Sequence, residues 1–270
     1  SVAQPFLKGV RQKEFDAMNW LSGPDGYQIE TSHSTINPPS SFGVLLGKEA
    51  LRYEFLLNGD EFPDTEMVIY DPASKAEIAV EFHREGFVKD NDWSDVDPDD
   101  FLKQLKEGQH QSNKKRLANG QEAFDVIGWV ERPSYDATKH VARYVLELGT
   151  EQRHWINAVA VKLGREGYHE FILAGDMEQY QNGGPAALAS ILDNHSYDPA
   201  YRYADFKQGD KVAAYGIAGL VAAVAGVKLG KGLLAGGLAF LAIAGKKLAI
   251  LIVPLAAGLW AGVKRFFRRS

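Results

Sequence analysis

Polar and apolar positions change rhythm several times along this chain, and each change predicts an element. Leu51, Tyr53 and Phe55 alternate with Arg52 and Glu54, and Ala76, Ile78, Val80 and Phe82 alternate with Glu77 and Glu81. Period-two alternation bounded by turn residues predicts antiparallel strands with one buried face. Three more strand-like runs follow: Ala142 to Leu148, Ile156 to Leu163 and Tyr168 to Leu173. Helices are predicted between and around them. An amphipathic stretch within residues 1–22 is broken by Ser22-Gly23-Pro24-Asp25-Gly26, and a short helix runs from Pro185 to Leu192. The best-marked helix opens at Asp97-Pro98-Asp99-Asp100, where Asp97 suits the N-cap, Pro98 the first helical position and two acids the dipole. It carries Phe101, Leu102 and Leu105 on one face and ends near Gly120. The sum is an α+β fold, an antiparallel sheet with helices packed on one side.

The rhythm then stops. From Val212 to Val263 the only charged residues are Lys228, Lys231, Lys246 and Lys247, and the basic end Lys264-Arg265-Phe266-Phe267-Arg268-Arg269 follows. This predicts two parts: an acidic domain, residues 1–205, and a C-terminal helical membrane anchor, residues 206–270. Lys211 and Lys228 bracket 16 apolar residues, Lys231 and Lys246 bracket 14, and Lys247 and Lys264 bracket 16. Sixteen helical residues span about 24 Å, short of a hydrocarbon core of about 30 Å. Lysines at both ends can snorkel to close that gap, so three short crossings and one crossing plus embedded helices both fit. Gly226/Gly230, Gly232/Gly236 and Gly258/Gly262 have the spacing that lets membrane helices approach closely, although a Gly/Ala-rich segment also generates such pairs by chance. Tyr201, Tyr203 and Phe206 before the tail, and Trp260, Phe266 and Phe267 at its end, suit the two membrane interfaces.

Charge sharpens the division. Residues 206–270 hold ten Lys/Arg and one acid, whereas residues 1–205 hold 20 Lys/Arg against 34 Asp/Glu. A domain of charge −14 repels phosphate backbones, so nucleic acid is excluded as a partner, and the basic tail is what faces the lipid bilayer. The absence of cysteine removes disulfides, thiolate catalysis and cysteine metal sites together. The chain starts Ser-Val-Ala-Gln, which fits a mature protein after signal-peptide removal and equally a trimmed chain.

Candidate chemistry is sparse. The acids of Asp90-Asn91-Asp92-Trp93-Ser94-Asp95-Val96-Asp97-Pro98-Asp99-Asp100 resemble a calcium loop, but the sixth and twelfth positions from Asp90 are Asp95 and Phe101 in place of Gly and Glu. A helix-start turn is the expected reading. Seven histidines (His33, His83, His110, His140, His154, His169, His195) show no H-x-H or H-x-x-x-H spacing, so no metal site is expected. Ser112-Asn113-Lys114-Lys115 matches S-x-x-K only in a polar helical stretch. Gly226-Val227-Lys228-Leu229-Gly230-Lys231 falls short of a phosphate loop by one residue and a Ser/Thr. In Gly128-Trp129-Val130-Glu131-Arg132-Pro133-Ser134-Tyr135-Asp136, Pro133 is expected to bend the chain, Trp129 and Tyr135 to anchor the bend, and Asp136 to cap a turn. No catalytic residue and no cofactor is assigned.

Four ordered motifs carry a resemblance. Glu85-Gly86-Phe87-Val88-Lys89-Asp90-Asn91-Asp92 comes first, then Asn113 and Arg116, then Gly128-Trp129 with Pro133, Tyr135 and Asp136, then Leu163-Gly164-Arg165-Glu166-Gly167. With the ending Arg202-Tyr203-Ala204-Asp205-Phe206 and Gly209-Asp210-Lys211-Val212-Ala213-Ala214-Tyr215-Gly216, they resemble bacterial domain-of-unknown-function family 2167 over about residues 40–270. The resemblance implies a signal peptide, a hydrophobic C-terminal anchor and no established activity. The order of sheet and helices also resembles the Mog1/PsbP-like sandwich. The expected protein is therefore a non-enzymatic bacterial envelope protein in the cell membrane. Its domain would be extracytoplasmic, its C-terminus cytoplasmic by the positive-inside rule, and it would self-associate through the C-terminal helices or bind a protein partner of unknown identity. The alternative is a membrane-tethered enzyme of unknown substrate, using the acids of Asp90–Asp100 with a divalent ion.

Overall fold

The central strands are apolar on both sides, and that decides the architecture. The structure, a computed structural model, describes residues 13–22, 25–58 and 61–225. Its elements are β1 (Tyr27–Ile29), β2 (Ser34–Ile36), β3 (Gly43–Leu46), α1 (Lys48–Asn58), β4 (Thr65–Tyr70), β5 (Glu77–His83) and α2 (Pro98–Ala118). After these come β6 (Asp125–Asp136), β7 (Val141–Gly149), β8 (His154–Leu163), β9 (Tyr168–Asp176), α3 (Met177–Gln181), α4 (Gly184–Asp193), β10 (His195–Tyr197) and α5 (Ile217–Ala225). Seven strands form one antiparallel sheet in the order β3-β4-β5-β9-β8-β7-β6, and β1-β2-β10 form a small second sheet.

The α+β class and the antiparallel pairing agree with the sequence expectation. The one-sided covering does not, because helices occupy both faces. In β8, Val159 and Val161 join Tyr144, Leu146, Phe101, Leu105 and helix α5 on one side. Ala158 and Ala160 join Phe171, Leu173 and α4 on the other. A strand covered twice reads as a continuous apolar run, and Trp155 to Val161 is buried throughout.

Helix α2 starts as its sequence dictates. The Asp97 carboxylate accepts from the backbone N–H of Asp99 and Asp100 at 3.0 and 3.1 Å, Pro98 follows, and Phe101, Leu105 and Gln109 form the buried stripe. The predicted strand at Leu51–Phe55 is instead helix α1. Ala50, Tyr53 and Leu56 recur at helical spacing on the buried face, and Phe55, which a strand would bury, is 49% exposed. The predicted bend at Pro133 is likewise corrected to strand β6, whose pairing with β7 slips between Glu131 and Ser134. An edge strand with bulges tolerates a residue that has no N–H to donate. Asp136 does cap the following turn, accepting from Thr138 and Lys139 N–H.

Residues 206–225 are packed into this domain. Helix α5 buries Ile217, Leu220, Val221 and Ala222 in the main core cluster, so the division drawn at residue 205 falls within a continuous set of contacts. Among the described residues no helix is long and apolar enough to cross a membrane. The rest of the expected anchor, the amphipathic stretch before residue 13, and the glycine pairs from Gly226 onward lie outside the described residues.

One buried acid sets a pH dependence. The Glu77 carboxyl, at the start of β5 beside Tyr53 of α1, is pushed up to about 7 by burial, which outweighs the hydrogen bond donated by Tyr53. A carboxyl raised in the folded state favours folding fully below its unfolded pKa and loses that contribution as pH rises through the folded value. Wild type should therefore lose stability relative to Glu77→Gln between pH 4.5 and 8. The difference is at most about 3 kcal/mol, measured by urea denaturation at a series of pH values.

Candidate functional site

Residues of three of the four family-like motifs meet in one place. Strand β5 runs into a loop where Gly86, at φ 99°, approaches Lys211, and a Cβ there would lie 2.8 Å from the Lys211 carbonyl oxygen. Phe87 N–H donates to Lys211 O, Ala213 N–H donates back to Phe87 O, and Ile217 N–H donates to Lys89 O. The Phe87 ring stacks between Tyr203 and Phe206 at 4.4 and 4.1 Å, and the Tyr203 hydroxyl donates to Val88 O at 2.8 Å. Asp92 accepts from Ala218 N–H, which starts α5, and Asp90 accepts from the Tyr135 hydroxyl at 2.7 Å.

Of the remaining motif residues, Arg165 completes this seat and the others brace α2. Arg165, in the β8–β9 turn, grips Asp210 with two hydrogen bonds of 2.7 and 2.8 Å and donates to Ala200 O at 2.9 Å. Those bonds hold the Asp210 carboxyl down at about 2, with the Lys207 N–H adding to the effect. Trp129 donates its indole N–H to Pro98 O. Asn113 clamps both the N–H and the carbonyl of Phe124, and Arg116 donates to Glu122 O, fixing the α2–β6 connection. The Gly86–Asp92 loop and Arg165 together hold the chain from Ala200 to Ala218, where the apolar run begins.

A second feature was not expected. Strands β5 and β9 pair so that Glu81 faces Glu170 on one side of the sheet and Phe82 faces His169 on the other. On the first side, His83 Nε2 lies 3.1 Å from Glu81 Oε2 and 3.3 Å from Glu170 Oε1, while its Nδ1 lies 3.4 Å from Asp64 Oδ2. Burial opposes the imidazolium, but Glu170, Asp64 and Glu81 together raise its pKa well above the ordinary value. On the second side, His169 Nε2 meets Glu66 at 2.9 Å and Nδ1 meets the Tyr197 hydroxyl at 2.8 Å. Thr31 and Ser32 also donate to Glu66. Here burial wins and lowers the pKa of His169, and it depresses that of the neighbouring His195 further. Lys162 closes the cluster by donating to the carbonyls of Leu192 and His195, with its pKa lowered to about 8 by burial.

The residues weighed from sequence are placed differently. Asp90, Asp92 and Asp97 each hold a structural hydrogen bond, Asp99 pairs with Arg132, and Asp95 and Asp100 are exposed, so the acidic run does not converge on one point. Ser112 and Lys115 are exposed on α2. Of the seven histidines, His169 and His195 come together on one face of the sheet and His83 lies on the other, His33 stacks on Tyr201, and His140 and His154 sit beside Asp90 and Glu147. Glu81, His83 and Glu170 are the one group among the described residues whose donor atoms could surround a metal ion. Its local signal was Glu-Phe-His inside an apolar strand, since residues two apart share a strand face.

The sequence profile described as protein of unknown function (DUF2167) matches residues 22–257. The chain belongs to this family. No protein of curated function matches a DUF2167 chain of this sequence significantly. Among solved structures it is similar to cyanobacterial PsbP (CyanoP) from Synechocystis sp. PCC 6803, at 13% identity and TM-score 0.36, over 66% of this chain and 94% of that one. A crystal structure from Bacteroides thetaiotaomicron is similar at 9% identity and TM-score 0.31, over 66% of this chain and 49% of that one. At these scores neither carries an argument about fold or function.

The junction is testable through Gly86. Gly86→Ala places a side chain against the Lys211 carbonyl at a left-handed φ and should cost about 1–3 kcal/mol, with faster limited proteolysis within residues 200–216. Gly108→Ala, in the middle of α2 with no atom within 4 Å of the added Cβ, should be neutral or slightly stabilising.

Proposed function

We propose that this DUF2167 chain is a membrane-anchored envelope protein whose acidic domain lies outside the cytoplasm and serves binding or assembly. The observation that carries the reading is the run from Val212 to Val263, with four lysines and no acid, closed by a basic end. The packed root of that run supports it. Helix α5 is buried all round against the domain and its start is held by Asp92 and Lys89. The first residues of the run are thus part of the domain's own packing, an arrangement suited to presenting a surface at a set height above a bilayer. The enzyme alternative has less support, because Asp90, Asp92 and Asp97 hold the loop, α5 and the helix start, and the acids of Asp90–Asp100 do not converge on one point.

The lysines favour self-association. A charged side chain near the centre of a lipid-facing helix costs about 2.5–3.5 kcal/mol, and a subunit seam or a wet cavity relieves that cost. In a continuous helix Lys228, Lys246 and Lys264, each 18 residues apart, would share one stripe. Three short helices with lysines at their ends explain the same spacing.

Protease added to spheroplasts should digest residues 1–205 and spare the basic end. Protection of the domain until lysis would overturn the topology. In mild detergent, Gly258→Leu with Gly262→Leu should shift the protein to a smaller assembly in size and mass measurements, and a monomeric wild type would remove the assembly reading.

A further inference from the structure

We propose that Glu81, His83 and Glu170 bind one divalent transition-metal cation, with Zn2+ as the best-fitting ion. The inference does not rest on the membrane reading. Donors about 2.0–2.1 Å from a tetrahedral ion stand about 3.3 Å apart. His83 Nε2 stands 3.1 Å from Glu81 Oε2 and 3.3 Å from Glu170 Oε1, and all three donor atoms lie within 4.8 Å of one another. Two of the three edges have the spacing of corners around a single ion, and the third is no longer than 4.8 Å.

The surroundings complete the chemistry. Asp64 Oδ2 lies 3.4 Å from Nδ1, the other ring nitrogen of His83. This is the carboxylate–histidine–metal arrangement, which fixes the tautomer and leaves Nε2 to the ion. Charge points the same way. Two buried carboxylates and a neutral imidazole need two positive charges for neutrality, which a divalent cation supplies and one proton on His83 does not. One imidazole with two carboxylates, in a chain without cysteine, suits Zn2+ and excludes soft thiolate-type sites.

Two buried hydroxyls add an independent observation. Thr65, paired directly with Glu81 in the sheet, is 4% exposed, and Tyr144, which feels the charge of Glu170, is 2% exposed. Neither hydroxyl has a hydrogen-bond partner. A metal-bound water in the fourth position would give such groups one. Glu81, His83 and Glu170 are 2–5% exposed, so the ion holds strands β5 and β9 together and is closed to a substrate.

The test uses the full chain in mild detergent, stripped with EDTA and dialysed against Zn2+. Elemental analysis should give one zinc per chain, and zinc should raise the thermal unfolding midpoint. X-ray absorption at the zinc edge should show one imidazole among oxygen donors. Glu170→Gln should weaken binding at least tenfold by isothermal titration. Asp64→Asn, at a side chain 48% exposed and therefore compatible with folding, should weaken it about 10-fold. His154→Gln, an exposed histidine paired with Glu147, should leave it unchanged. If the buried variant does not fold, the wild-type stoichiometry, the absorption spectrum and Asp64→Asn decide. Absence of stoichiometric zinc in the wild type, unchanged affinity in Asp64→Asn and Glu170→Gln, or loss on His154→Gln alone would each overturn the site.

Discussion

The register of β5 against β9 is the constraint on which the buried chemistry of this domain depends. It sets Glu81 opposite Glu170 and Phe82 opposite His169. Side chains alternate across a strand, so a slip of one residue would exchange the two faces and send His169 into the cluster around Tyr168. The neighbouring strand adds a second device. Thr65 pairs with Glu81 and Met67 with Val80, leaving Glu66 as the extra residue of a bulge. Regular pairing would set Glu66 beside Glu81 and Glu170, three carboxylates on one buried face. The bulge lets Glu66 reach His169 at 2.9 Å on the opposite face instead. Each histidine thus receives acid from its own side, and the sheet keeps the two sets apart.

The two sides solve the same problem differently. Around His169 the donors to Glu66 are neutral: the Thr31 and Ser32 hydroxyls share the load, and burial favours the uncharged imidazole. Hydrogen bonds from hydroxyls can stabilise one buried carboxylate without a counter-charge. Around His83 three carboxylates gather, and the nearby buried hydroxyls of Thr65 and Tyr144 have no hydrogen-bond partner. That side needs positive charge, which is why a cation belongs there and not on the other.

Local signals carried far in this chain, and long-range ones did not. Asp97-Pro98 marked the start of α2, and the apolar runs marked β7, β8 and β9, because caps and periodicity act within a few residues. Leu51–Phe55 was ambiguous because five residues fit either period, and only the packing of Tyr53 and Leu56 beneath the sheet chose the helix. Helices on both faces followed from Ala158 and Ala160, small residues whose strand looks one-sided until α4 covers them. The cluster at His83 was least legible. Glu81 and His83 are adjacent on one strand, but Glu170 arrives from a strand 87 residues later, and no spacing rule reaches that far. The acids of Asp90–Asp100 drew attention by density, yet their work is to hold neighbours in place.

The buried charge cluster and the root of the apolar segment are physically continuous. Tyr168 stacks on His83 with ring centres 4.9 Å apart, and its hydroxyl meets that of Tyr215. Tyr215 is followed at once by Gly216, where a Cβ would stand 2.2 Å from the Asp92 carboxylate that receives the Ala218 N–H in the first turn of α5. On the other side of the same turn, a Cβ at Gly167 would stand 2.0 Å from the His83 carbonyl oxygen. Close-packed contacts of this kind do not absorb displacement gradually. The position of His83, and whatever balances its carboxylates, is therefore felt within two side chains at the entry to α5. The motif residues from Gly86 to Asp92 and from Gly164 to Gly167 flank that path on both sides, joining a buried polar centre to the base of the C-terminal segment.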